Sequence, residues 1–123
     1  MASIKSSLSA ALCVLPAVLG QNLLVSHYNG NVYSVSFSGT ALAIKSQIKA
    51  GGQMPSWLTL DAASGSVWVT DESTGGSNKQ MYQLTVGSDL SLKSSGTSKA
   101  NGGELHSCLY GGSDGKGYIA AAE

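Results

Sequence analysis

The chain has 123 residues, seven lysines against seven acidic residues, a formal net charge of zero and 42% hydrophobic content. That length holds one domain, and a neutral balance without a basic cluster argues against nucleic acid and anionic membrane surfaces as partners. There is no arginine, so planar, bidentate capture of a carboxylate or phosphate would have to come from groups outside this chain.

Residues 1–20 have the layout of a secretory signal peptide. One lysine, Lys5, lies near the amino terminus, Leu8 to Leu19 is uncharged and largely apolar, and Val18-Leu19-Gly20 offers a cleavage site before Gln21. The run is too short to span a membrane, and Pro16 weakens the alternative of an N-terminal core helix. The expected location is therefore secreted or extracellular. Removing this segment takes Cys13 with it and leaves Cys108 as the single thiol, so no internal disulfide is expected.

From residue 21 to 123 the pattern is β, with no apolar stripe at a period of 3.6. Leu23 to Tyr28 reads as a strand, Asn29-Gly30 as a two-residue hairpin turn, and Asn31 to Phe37 as the partner strand. Ser38-Gly39-Thr40 turns the chain into Ala41 to Ile48, and Lys49 to Met54 is a crossing loop. Pro55 to Glu72 follows as a second hairpin: Trp57 to Leu60 and Val67 to Thr70 alternate in polarity around the turn at Ala63-Ser64-Gly65. Gln80 to Val86 and Leu90 to Lys99 are two further strands, the second with an exposed, serine-rich face, and Ala100 to Glu104 is another crossing loop.

Shifting the numbering by 51 lays Leu105 to Glu123 over this hairpin: Ser56 falls on Ser107, Leu58 on Leu109, Val67 on Tyr118 and Glu72 on Glu123. A hairpin recurring at that period points to propeller blades. The expected grouping is the outer strands of one blade at 23–48, a full blade at 55–99 with its innermost strand first, and the start of another at 105–123. About two blades and a partial one make an open arc, the expected N-terminal fragment of a longer ring whose remaining blades would be its first partner.

The runs PSWLTLDAASGSVWVTDE, GGELHSCLYGG and LLVSHYNGNVYSVSFSG resemble the lactonase family of seven-bladed β-propellers, over essentially all of Leu23 to Glu123. That family includes 6-phosphogluconolactonases and fungal 3-carboxy-cis,cis-muconate lactonising enzymes. The resemblance implies cofactor-independent lactone chemistry, with no metal, at one mouth of a central channel. It leaves the substrate open between lactones and related carboxylates. Two departures stand out: Leu105 occupies the place where members commonly carry proline before the histidine, and the arginines that members use for anionic substrates are missing.

Alternate connections of an up-and-down sheet emerge at the same end. Ser56, His106, Asp71, Glu72, Glu123 and His27 are therefore expected at one mouth. Lactone opening needs a base to activate water and donors for the developing oxyanion. His106, whose ordinary pKa lies near neutrality, and Glu72 are the catalytic candidates; Ser56, Asp71 and Glu123 are the substrate-binding ones. Each has a structural alternative: the histidine can tie crossing loops together, and repeated carboxylates can accept backbone N–H groups of a neighbouring loop. Trp57 and Trp68 read as blade packing, not a sugar platform. Gly111 to Gly115 spells G-x-S-x-G but is followed by a strand, so it reads as a hairpin turn and not a nucleophile elbow. Two functions remain: a lactone hydrolase or lactonising enzyme, and a non-catalytic secreted binding module or inactive truncated product.

Overall fold

The computed structural model describes residues 20–50, 52–73, 80–111 and 117–122. The expected leader, apart from Gly20, and Glu123 lie outside them. Nine strands run in chain order: β1 Gln21–His27, β2 Asn31–Phe37, β3 Leu42–Lys49, β4 Pro55–Asp61, β5 Ser66–Asp71, β6 Gln80–Val86, β7 Leu92–Lys99, β8 His106–Tyr110 and β9 Tyr118–Ala122. They form three antiparallel sheets, β1-β2-β3, β4-β5-β6-β7 and β8-β9, each strand pairing with its neighbour in sequence. Among the described residues there is no helix. The architecture is an all-β, open array of up-and-down sheets, a partial β-propeller.

The repeat is explicit in the ladders. Asn31 pairs with Lys49 and Phe37 with Leu42, as Gln80 pairs with Lys99 and Val86 with Leu92. Both ladders break at the same step, between Ser34 and Val35 and between Gln83 and Leu84, leaving Lys45 and Ser95 as the extra residues. Such a bulge sharpens the right-handed twist of an outer strand. In this alignment β1 holds the rank of β5, and among the described residues no strand stands beside β1 as β4 stands beside β5.

Alternation decides the faces. Leu58, Val67, Val69, Tyr82, Leu84, Val86 and Leu92 lie on one side of the second sheet and meet Leu24, Val32, Ile48 and Ala50 of the first. Val32, Val67, Val69 and Leu84 are completely covered. At the rim, Ser34 Oγ donates to the Leu90 carbonyl at 2.6 Å and Leu92 N donates to Ser46 Oγ at 3.2 Å. The third sheet is docked differently, by polar bonds: Thr59 Oγ1 donates to the Ser107 carbonyl at 2.8 Å and lies 2.8 Å from its hydroxyl.

Two turns depart from expectation. The first hairpin loop holds three residues, Tyr28 to Gly30, because His27 pairs with Asn31, Gly30 N donates to the His27 carbonyl, and Gly30 takes a left-handed φ of 83°. The strand expected from Leu90 starts at Leu92. Leu90 itself sits at a φ of 66° inside a turn closed by Gly87 N to Ser91 O and Leu90 N to Gly87 O.

Candidate functional site

One end of the sheets gathers the β1–β2 turn, the loop from β3 to β4, the end of β5 and the loop from β7 to β8. Two backbone bonds tie these pieces together, Ala50 N to Gly30 O and Glu72 N to Met54 O, and a third, Leu105 N to Ala122 O, joins the last loop to the end of β9. His27, Ser56, Asp71, Glu72 and His106 all lie at this end.

Asp71 closes β5 and is 6% exposed. Its Oδ1 accepts from Met54 N and Ser73 N, each at 3.0 Å, and its Oδ2 accepts from Gln53 N at 3.2 Å. Both oxygens are thus used on backbone donors of the crossing loop, the geometry of a loop clamp. Sequence reasoning missed its counterpart in the next loop, Glu104. That residue is 4% exposed, and its Oε1 accepts from Asn101 N at 2.6 Å and Gly102 N at 2.7 Å, while Oε2 is buried without a partner among the described residues. The signal available was spacing: a glutamate three residues after Asn101 can fold back on its own loop. His27 does similar work, accepting from Asn29 N through Nδ1 at 3.1 Å.

The other candidates face outward or between sheets. The β4–β5 register slips between Pro55 and Trp57, and the bulged Ser56 reaches the third sheet's loop, 3.3 Å from the Glu104 carbonyl and 3.3 Å from Thr70 Oγ1. Trp57, expected to be packed, is 42% exposed, and its ring lies 4.2 Å from that of His106 with a 42° tilt. The bulge explains the first, because an extra residue at the strand start turns Ser56 to the side of the third sheet; Trp57 faces that side by regular alternation with Thr59. His106 opens β8 and is exposed. Glu72 is half-buried, and the Tyr28 phenol, itself exposed, is held above its ordinary 10.0, chiefly by hydrogen bonding toward the Glu72 carboxylate, with slight desolvation and the glutamate charge acting in the same direction. Trp68 is half-buried within β5.

Two clefts open between the second and third sheets. The larger, about 480 Å³, is lined by Asp61, Ser66, Trp68, Gln83, Tyr110 and Ile119, at the end of the sheets away from His106. The smaller, about 260 Å³, lies near the loop of Glu104, between Met81, Lys99 and Ala121. Glu104 is one of the residues lining the smaller cleft, while its Oε2 is itself buried. Among the described residues no group of three histidine, cysteine or acidic side chains could hold a metal ion. Residues 112–116, most of the G-x-S-x-G run, lie outside the described part, between β8 and β9.

Antiparallel sheets in tandem, stacked face to face with their polar loops gathered at one end, define a β-propeller. The family described as lactonase, seven-bladed β-propeller, matches residues 22–123. The chain belongs to that family. No curated protein and no solved structure matches it.

Proposed function

We propose that the protein opens or closes a lactone ring, with His106 as the proton-transfer group. The observation that carries this reading is the exposed His106 imidazole at the loop-bearing end of the sheets, in a chain of the lactonase family. In the hydrolytic direction His106 takes a proton from water as the water oxygen bonds to the lactone carbonyl carbon. The ring C–O bond then breaks, the departing alkoxide takes the proton back from the imidazolium, and a hydroxy acid results. Lactonisation is the same sequence reversed. Ser56 and Glu72 stand at the same end, Ser56 as a hydroxyl near the substrate and Glu72 through its bond to Tyr28.

The family's 6-phosphogluconolactone and 3-carboxymuconate chemistries are two examples of this reaction class, and an expected secretory signal suits neither cytosolic sugar phosphates nor a dedicated intracellular pathway, so the substrate proposed is a lactone without a particular name. Hydrolysis of a lactone panel by the purified chain, followed by proton release, tests it. His106→Ala is expected to lower turnover about 10²-fold or more; unchanged turnover removes His106 from the reaction.

One observation favours a second reading, a non-catalytic binding module. Asp71 and Glu104, two carboxylates at this end, are spent on backbone N–H groups, which leaves less acidic machinery than proton transfer usually employs. No turnover of any lactone, together with saturable binding, would support it.

A further inference from the structure

We infer that Trp57 is a ligand platform, forming with His106 a site for a flat, uncharged lactone whose ring system lies along the indole and whose carbonyl faces the imidazole. The inference rests on the lactone reading above and narrows its substrate class.

Three observations converge on it. First, Trp57 does not seal the joint between sheets. The second and third sheets are already joined by the Thr59–Ser107 and Ser56–Glu104 bonds, while 42% of Trp57 stays exposed beside an exposed imidazole. Second, its orientation is built by the fold: Trp57 lies in the regular part of the β4–β5 ladder on the face of Thr59, turned toward the third sheet, and the bulge before it turns Ser56 to that same face. Bulges that re-aim a side chain are over-represented beside sites. Third, among the described residues an exposed apolar side chain stands beside the two rings and no cation is placed against them. Leu105, just before His106, is 54% exposed. Asp71 and Glu104 are engaged with backbone, and among the described residues the lysines at this end, Lys49 and Lys99, close the outermost strands β3 and β7. No guanidinium is present anywhere in the chain. An indole face without a nearby cation favours flat, uncharged rings by stacking and gives nothing to offset a phosphate.

The test uses the whole chain carrying Trp68→Phe, so that Trp57 is the only tryptophan, with dihydrocoumarin as the flat probe and glucono-δ-lactone and 6-phosphogluconolactone as hydroxylated and charged probes. Dihydrocoumarin is expected to quench the fluorescence saturably, half-saturating near about 1 mM as befits so small a ligand. The other two are expected to quench at least tenfold more weakly. Against the same probe followed by changes in the His106 ring proton resonances, Trp57→Ala should weaken binding about tenfold, with Trp57→Phe within about threefold of the parent. Far-UV circular dichroism establishes that each variant is folded, and Trp57→Phe carries the comparison if the alanine variant is not. Absence of saturable quenching by dihydrocoumarin, or equal quenching by either other probe, overturns the platform. Binding without turnover leaves the platform standing and defeats the lactone reading. Turnover of dihydrocoumarin with an unchanged KM in both Trp57 variants defeats the platform and leaves the lactone reading intact.

Discussion

The carboxylate of Asp71 lies against the α-carbon of Gly52, so closely that a β-carbon there would overlap Asp71 Oδ2. The same carboxylate takes N–H groups from Gln53 and Met54, the two residues after that glycine. Loop and clamp are therefore one unit. Gly52→Ala is expected to push the carboxylate out and cost about 2 kcal/mol, close to the cost of Asp71→Ala. The double variant should cost clearly less than the sum, because the glycine is needed only while the carboxylate occupies that space. Urea unfolding of the four proteins checks it; strict additivity would separate the two residues.

Amide replacements should distinguish the two loop carboxylates. Asp71 uses both oxygens as acceptors, so Asp71→Asn turns an NH2 group toward a backbone N–H and is expected to cost about 2 kcal/mol. Glu104 uses one oxygen and, among the described residues, leaves the other buried without a partner. Glu104→Gln keeps the working acceptor and removes a charge, and so should change stability by less than about 1 kcal/mol. Equal losses in chemical denaturation would contradict the assignment of one clamp with two working oxygens and one with a single working oxygen.

Docking of the third sheet depends on Thr59, whose hydroxyl meets both the carbonyl and the hydroxyl of Ser107, itself 3% exposed. Thr59→Val keeps the shape and leaves Ser107 unsatisfied, for an expected loss of about 1 to 2 kcal/mol. Hydrogen exchange localises the effect: amides of β8 and β9 should lose protection before those of β5 and β6. The latter are held by the apolar layer of Val67, Val69 and Leu84.

The sequence made the strands, the repeat and the gathering of loops at one end readable, because each rests on period-two alternation and turn residues, which are local. Asn31–Phe37 and Gln80–Val86 coincide with their expected bounds for that reason. What escaped depends on register or on distant partners. Asn29-Gly30 is a strong two-residue signal, yet the His27–Asn31 pairing makes the loop one residue longer. The left-handed Leu90 is held in place by Ser34, whose hydroxyl bonds its carbonyl from the preceding sheet. The exposure of Trp57 depends on how much of its ring the third sheet covers, which no alternation pattern announces. For Asp71 the position was legible and the clamp geometry was one of two roles left open; for Glu104 the role was missed.

Tyr28 and Glu72 follow β1 and β5 directly, the same place in successive sheets, and their contact gives the loop-bearing end a titratable signature. The hydrogen bond to the Glu72 carboxylate raises the Tyr28 phenol above 10.0, with slight desolvation and the negative charge acting in the same direction. A group with a raised folded-state pKa holds its proton more tightly when folded. Its contribution is therefore complete below the unfolded value near pH 10 and is lost as the pH rises through the raised value. Glu72→Gln removes the charge and should bring the Tyr28 titration down toward 10.0, followed through the ring carbon bearing the hydroxyl by carbon NMR. Tyr82 serves as the internal reference. It is also raised, chiefly by burial and next by the charge of Asp71, neither of which the Glu72 variant alters. A Tyr28 titration that stays put, or one that moves together with Tyr82, would show that Glu72 is not the group acting on this phenol.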